Sequence, residues 1–270
     1  MIPPRVLIAG NGDLGSRIAD RLRATGASIR SIVRRPRPNN SDLIALDLTQ
    51  PVLGALPDAF DLLLHCVAPS VRDELSYRAV YIDALRHLLD AVPSARRLVF
   101  VSSTAVYGDH GGARIDESAA CRPRDFNGRV LLEAEALAQS CGRDALVLRL
   151  GGIYGPGREM LLKRVRSGVP LLISEPPLYT NRIHVEDAAA AAAHLITRAA
   201  SGVFNLVDDA NTPQPEVLDW LADRLHVPRL ERSNAPLPAE SKQVDNARLH
   251  ATGFHFTYPD FRAGYDALLR

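Results

Sequence analysis

The sequence contains few lysines, few cysteines and no long apolar run, and these shortages exclude several classes of protein. No run approaches the ~18 consecutive apolar residues that a membrane-spanning helix needs. The 32 basic side chains are balanced by 31 acidic ones, which gives a formal charge of +1. Nucleic-acid and anionic-membrane surfaces need a basic stripe, so we expect neither partner.

The cysteines indicate a reducing compartment. Cys66, Cys121 and Cys141 form no CxxC pair, and their odd number does not suit a disulfide scaffold. The first ten residues lack the basic region, apolar stretch and cleavage site of a signal peptide, so the predicted location is the cytoplasm.

The histidines show no spacing such as HxxxH or HExxH, so no metal site is expected.

Short β-rich runs alternate with helical patterns over the first 150 residues, which predicts a parallel sheet covered on both faces. Residues 6–9 form an apolar run typical of a buried strand, and residues 15–24 follow with helical spacing. Further strands are predicted at 28–33, 43–46, 61–66, 97–102, 145–150 and 203–207, and further helices at about 74–91, 128–140, 186–200, 215–225 and 259–269. The predicted fold is a doubly wound α/β (Rossmann) domain, residues 1–150 plus 183–206, with a small C-terminal cap, residues 151–182 plus 207–270.

A glycine loop follows the first predicted strand and opens the first helix. In this order one glycine permits the tight turn, the second lets the backbone approach a diphosphate, and the third lets the helix pack on the strand. Free amides at the positive end of the helix then bind the phosphates. The sequence therefore predicts a dinucleotide site made by Gly10, Asn11, Gly12, Asp13, Leu14 and Gly15.

The end of the second predicted strand favours NADP(H) over NAD. NAD-binding proteins place an acidic residue here, about 20 residues after the glycines, whereas this chain has Arg34 and Arg35. A guanidinium matches the additional 2′-phosphate of NADP(H). The alternative is two solvated arginines, since all basic side chains except Lys163 and Lys242 are arginines. Asp47, after the third strand, is either an adenine contact or an exposed loop acid.

Several motifs together resemble the short-chain dehydrogenase/reductase superfamily, in its extended NAD-dependent epimerase/dehydratase branch. The resemblance covers nearly the whole chain and rests on the glycine loop, LHCVA at 64–68, FVSSTAVYG at 100–108, LRLGGIYGPG at 148–157 and NRIHVED at 181–187. It implies that Val67 and Ala68 contact the cofactor and that the segments after residue 150 form a substrate-binding cap. Relatives often dimerise through two helices, so a homodimer is one expectation.

The sequence departs from the family's catalytic pattern. Members use a Ser/Thr, a Tyr and a Lys, with the latter two spaced YxxxK so that one helical turn presents both. No YxxxK occurs in this chain. Aligning Glu133 with the family's acidic residue places Asp125 at the tyrosine and Arg129 at the lysine, with Phe126 as the neighbouring aromatic. Arg129 can bind nicotinamide-ribose hydroxyls but cannot release a proton.

Other residues are candidates by the same resemblance, each with a structural alternative. Asp125 is either an acid/base that needs a raised pKa or a solvated loop acid. Ser103 matches the substrate-orienting Ser/Thr, with Thr104 adjacent, although such residues also cap turns. Tyr107 and Tyr154 resemble tyrosines that line the site and either donate a proton or pack. Arg182 resembles an arginine that contacts substrate phosphate or cap residues.

The leading hypothesis is an NADP(H)-binding oxidoreductase or epimerase/dehydratase-like enzyme for a small carbonyl or sugar-type substrate. Ser103 and Thr104 would polarise the substrate oxygen, with a proton donor drawn from Tyr107, Tyr154 or Asp125. The alternative is an inactive relative that binds NADP(H) as a sensor or scaffold, since the glycine loop persists while the Tyr and Lys are absent.

Overall fold

The computed structural model describes residues 4–35, 41–52, 56, 59–233 and 240–270. The strands are β1 (Arg5–Ala9), β2 (Ser28–Val33), β3 (Leu43–Ala45), β4 (Leu62–His65), β5 (Arg97–Ser103), β6 (Arg114–Ile115), β7 (Asp144–Leu150), β8 (Gly152–Tyr154), β9 (Leu171–Leu172), β10 (Tyr179–Thr180), β11 (Arg182–His184), β12 (Gly202–Leu206), β13 (Thr212–Pro213), β14 (Arg232–Ser233) and β15 (Gln243–Val244).

The α-helices are α1 (Asp13–Ala24), α2 (Glu74–Arg78), α3 (Ala84–Ala91), α4 (Phe126–Ser140), α5 (Met160–Ser167), α6 (Val185–Thr197), α7 (Gln214–Leu225), α8 (Ala247–His250) and α9 (Phe261–Leu269). A π-helical turn, Ala79–Asp83, joins α2 to α3, and a 3₁₀ turn, Thr104–Tyr107, follows β5. Within the described residues, no helix is long and apolar enough to cross a membrane.

The central sheet has seven strands in the order β12-β7-β5-β4-β1-β2-β3. β1 pairs in parallel with β2 on one side and with β4 on the other, so that Ala9 lies opposite both Ile32 and His65. The chain runs outward from β1 in both directions, and such a reversal of strand order opens a crevice at the carboxyl ends of the strands. The predicted doubly wound parallel sheet is confirmed.

The described chain divides into two compact units. Unit 1 comprises Met1–Val106, Pro123–Arg149 and Ala189–Phe204, and unit 2 comprises Tyr107–Arg122, Leu150–Ala188 and Asn205–Arg270. Unit 1 contains most of the central sheet. The central residues of its inner strands are apolar, as expected for strands covered on both faces: Leu7, Ile8, Leu63, Leu64, Leu98 and Val99 are all fully buried.

Unit 2 has its own apolar core around α7 and α9. Leu218 and Leu221 of α7 lie one turn apart and are buried against Phe261 and Tyr265 of α9. Side chains that recur every three to four positions on a helix form one stripe, and this stripe is what the core buries. The predicted helices at 215–225 and 259–269 are therefore present because each has an apolar face to cover.

Candidate active site

The glycine loop between β1 and α1 is shaped by close backbone contacts. Gly10 has a φ of +101°, and a Cβ there would lie 2.6 Å from the carbonyl oxygen of Cys66. A Cβ on Gly15 would lie 2.0 Å from the carbonyl oxygen of Gly10. A Cβ on Gly12, in contrast, would meet nothing within 4 Å. Gly10 and Gly15 therefore permit close packing, whereas Gly12 leaves open space at the loop.

The first turn of α1 is suited to an anion. Gly12 is the N-cap and has no side chain to accept from the first amides of the helix. Asp13 turns along the helix instead, where its carboxylate accepts from Nε of Arg17 at 2.7 Å. Asn11 is half-buried and Leu14 is buried. Uncapped amides at the positive end of a helix dipole bind phosphate groups well.

Arg34 and Arg35 follow the carboxyl end of β2, and Asp47 follows the neighbouring parallel strand β3. The amide of Gly10 donates to the carbonyl of Ile32 at 3.2 Å, which fixes this strand end beside the glycine loop. Both arginines are exposed. Asp47 accepts from Oγ1 and from the amide of Thr49, and these bonds, with the nearby Arg34 charge, lower the pKa of Asp47.

The segment after β4 lies against the same loop. The amide of Cys66 donates to the carbonyl of Ala9 at 2.8 Å. Val67 is half-buried and Ala68 is exposed. His65 is fully buried, and burial lowers its pKa to about 4, so its ring is neutral near pH 7. This segment therefore forms one wall beside Gly10.

Ser103 and Thr104 lie at the carboxyl end of β5, next to the start of α4. Oγ of Ser103 accepts from the amide of Ala105 at 3.2 Å, and Thr104 is buried. A Cβ on Gly128 would lie 2.7 Å from the carbonyl oxygen of Ala105, so the first turn of α4 packs directly on this segment. The structure thus brings Ser103 and the amino-terminal end of α4 together.

Asp125 and Arg129 occupy that end of α4, and both are exposed. Asp125 is the N-cap residue, and its side chain makes no capping hydrogen bond. The guanidinium of Arg129 donates to the carbonyl of Arg124. The positions aligned with the family's Tyr and Lys are therefore occupied by an acid and a base that make no ion pair with each other among the described residues.

The sequence profile of the NAD dependent epimerase/dehydratase family matches residues 6–206. The chain belongs to this family. Protein YeeZ of Escherichia coli (strain K12) is 29% identical, over 95% of this chain and 97% of that protein. A 3-diazoavenalumate denitrifying reductase from a Streptomyces species is 29% identical, over 96% and 98%. A solved structure from Methylobacillus flagellatus, named as a NAD-dependent epimerase/dehydratase, is 32% identical, with a TM-score of 0.80 and coverage of 98% and 97%.

Membership in the epimerase/dehydratase family makes NAD(P) the expected cofactor class. Among more distant structures of the same fold, one holds NADPH and others hold NAD, so the fold itself does not choose between the two. The residues of unit 1 fit such a dinucleotide, because Gly12 leaves open space and the first turn of α1 has uncapped amides. No cluster of potential metal ligands occurs in the described part of the chain.

Tyr107 and Tyr154, the two tyrosines that resemble family motifs, are packed inside unit 2. Tyr107 is fully buried, and its hydroxyl donates to Oδ1 of Asn205 at 2.8 Å. Tyr154 stacks on Tyr265 with ring centroids 4.7 Å apart and donates to the carbonyl of Asp260 at 3.3 Å. Burial raises the pKa of Tyr154 well above its ordinary value. These placements favour the packing alternative over proton donation.

Arg182 is also buried in unit 2, with its guanidinium 5.1 Å from the ring centroid of Phe261. None of its guanidinium nitrogens has a hydrogen-bond partner among the described residues. Asp208 is buried nearby, and burial raises its pKa to about 8, while the charge of Arg182 opposes that shift. The guanidinium contacts residues of its own unit, which is one of the two alternatives for Arg182.

Two features of unit 1 were not predicted from the sequence. One is a group of rings around the π-helical turn, with Tyr77 5.2 Å from Phe126 and 5.4 Å from Tyr81. Their spacing of four residues on a helix could have suggested it. The other is a buried ion pair between Arg149 of β7 and Glu135 of α4. A charged residue within the apolar run of β7 was the available signal, since a buried charge needs a partner.

Proposed function

We propose that this chain is an NADP(H)-dependent oxidoreductase or epimerase/dehydratase-like enzyme that acts on a small carbonyl or sugar-type substrate. The observation that carries the proposal is the arrangement in unit 1 of the glycine loop, the exposed Arg34 and Arg35 at the adjacent strand end, and Ser103 two strands away. The loop would hold the diphosphate, and the guanidiniums would bind the 2′-phosphate, with Asp47 at the adenine. Val67, Ala68 and Arg129 would line the nicotinamide half of the cofactor.

NADP(H), when bound, supplies or accepts the hydride. Ser103 would orient the substrate oxygen by donating a hydrogen bond from Oγ, with Thr104 supporting the turn. Asp125, the N-cap residue of α4, is a candidate acid, and Tyr154 and Arg182 are the proposed substrate contacts of unit 2.

A cytoplasmic location and a homodimer are further proposals. The first is supported by cysteines that form no disulfide in the described residues.

We expect NADPH to bind at least about tenfold more tightly than NADH, because a bound phosphate gains charge-assisted bonds from guanidinium. Replacing Arg34 and Arg35 together by serine should weaken NADPH binding by about that factor and leave NADH binding unchanged. The control variant is Arg86→Ser with Arg96→Ser, which removes the same charge from two other exposed arginines of unit 1. Calorimetry that gave equal affinities for both coenzymes would contradict the proposed specificity.

The second candidate function is an inactive sensor, which is favoured by Asp125 and Arg129 at the positions of the family's Tyr and Lys. A measurement of turnover distinguishes the enzyme from the sensor. In an enzyme, Ser103→Ala should lower kcat/KM for NADPH oxidation by about 100-fold, as loss of one donor to a reacting oxygen does. NADPH affinity should stay within about twofold. Ser140→Ala, an exposed serine of α4, is the control. Tight NADPH binding without oxidation across a panel of carbonyls and nucleotide sugars would instead identify a sensor.

A further inference from the structure

Apart from the exposed Asp125, none of the residues that match family motifs offers a free proton donor near Ser103. Asp125 and Arg129 replace the family's Tyr and Lys, and Tyr107 and Tyr154 are buried in unit 2 with bonded hydroxyls. Unit 1, which contains the glycine loop and Ser103, has two of the seven tyrosines of the chain, Tyr77 and Tyr81. Neither hydroxyl makes a hydrogen bond with another described residue, and neither ring is fully buried.

Tyr77 lies next to the position that the family's tyrosine would occupy. Its ring meets that of Phe126 edge-on, at 5.2 Å and 85°, and Phe126 directly follows Asp125. An exposed salt bridge between Arg78 and Glu133, with two bonds of 2.9 Å, also joins α2 to α4, about two turns beyond Phe126. Tyr77 therefore reaches from α2 to the first turn of α4, where Gly128 packs on the segment that follows Ser103.

The π-helical turn Ala79–Asp83 begins two residues after Tyr77 and contacts His65 of β4. A π turn leaves the regular i→i+4 ladder, and here the carbonyl of Val80 meets Nε2 of His65 at 3.1 Å. The ring of His65 is fully buried and stacks on Phe100 at 5.4 Å, so packing holds it beside that carbonyl. Tyr81 packs in the same group, 6.3 Å from the ring centroids of His65 and Phe100. The helical segment starts after the carboxyl end of β4 and leads back to the amino end of the parallel strand β5, so Tyr77, four residues earlier, lies nearer the carboxyl edge of the sheet than Tyr81.

We infer that Tyr77 is the group that donates a proton to the substrate oxygen. The inference rests on the proposed function. A hydride, which bound NADPH would supply, forms the new C–H bond at the carbonyl carbon, and the C=O π pair moves onto the substrate oxygen. The O–H bond of Tyr77 breaks, and its proton forms the new O–H bond on that oxygen. The phenolate left on Tyr77 takes a proton from water. The guanidinium of the adjacent Arg78 is paired with Glu133, so it does not stabilise the phenolate.

Tyr77→Phe tests the inference, because it removes the hydroxyl and keeps the ring against Phe126 and Tyr81. We expect kcat for NADPH-dependent reduction to fall by about 100-fold or more, with NADPH affinity and thermal midpoint unchanged. Tyr81→Phe, one turn along the same helix, is the matched control and should retain most of the activity. Full activity in Tyr77→Phe, or an equal loss in both variants, would overturn the assignment. If the wild-type chain binds NADPH but reduces nothing, the proposed function fails first.

A second readout needs no turnover. N-acetylimidazole acetylates accessible tyrosine hydroxyls, and peptide mass spectrometry locates the modified residues. We expect NADPH to slow acetylation of Tyr77 at least about fivefold if this hydroxyl faces the bound cofactor. Tyr179 of unit 2 is the internal reference and should react at the same rate with and without NADPH. Unchanged acetylation of Tyr77 at saturating NADPH would place this hydroxyl away from the cofactor and overturn the inference.

Discussion

Replacing Gly15 by alanine is expected to destabilise unit 1 by about 3 kcal/mol or more and to abolish NADP(H) binding. The added methyl carbon would lie 2.0 Å from the carbonyl oxygen of Gly10, and both groups belong to backbone that β1 and α1 hold in place. Relief requires α1 to move away from the strand, which separates Leu14 and Ile18 from the sheet. Urea denaturation followed by circular dichroism measures the loss.

Gly12→Ala is the control that separates folding from binding in the same loop. Gly12 has a φ of −79°, which alanine adopts without strain, and its Cβ would meet nothing within 4 Å. Its stability should therefore stay within about 0.5 kcal/mol of wild type. The methyl group would occupy the space proposed for the diphosphate, so NADPH affinity should fall by about tenfold or more. A stable Gly12→Ala variant that binds NADPH normally would show that the diphosphate lies elsewhere.

Local patterns predicted most of the sheet. The apolar run that predicted the first strand corresponds to β1, and the predicted strand at 28–33 coincides with β2 (Ser28–Val33). The predicted helix at 74–91 covers the right residues but is interrupted by the π turn Ala79–Asp83. Hydrophobic spacing could not show this turn, because it is coupled to a carbonyl contact with His65, a residue on another element.

The site was predictable where the chemistry lies in contiguous sequence. The glycine loop has its full signal within six residues, and the structure gives Gly10 and Gly15 a geometric reason, whereas Gly12 is required only by the proposed diphosphate. Orientation was not predictable in the same way, since a motif does not state which way its side chains face. Tyr107 matched a family motif, yet its hydroxyl bonds to Asn205, nearly a hundred residues away in sequence. Tyr77 matched no motif, and only the packing of α2 on α4 brings it to Phe126.

The buried pair of Glu135 and Arg149 gives the second large effect. Arg149 donates to Glu135 through Nη2 at 2.7 Å and Nε at 3.1 Å, with the two side chains only 7% and 2% exposed. Ser102 completes the group by donating to Glu135 at 2.5 Å. The pair therefore ties β7, α4 and the end of β5 together immediately before Ser103. Removing one partner would leave the other charge buried without compensation.

Arg149→Met should therefore lower the free energy of unfolding by about 3–5 kcal/mol. The double variant with Glu135→Leu removes both charges and keeps a similar volume, so it should recover most of that loss. Denaturant titrations of the wild type, both single variants and the double variant form a complete cycle that measures the coupling. A loss below about 1 kcal/mol in Arg149→Met would mean that water reaches Glu135 and replaces the guanidinium. If the double variant recovers stability but not NADPH oxidation, the pair also positions Ser103, because its removal frees the end of β5 without unfolding it.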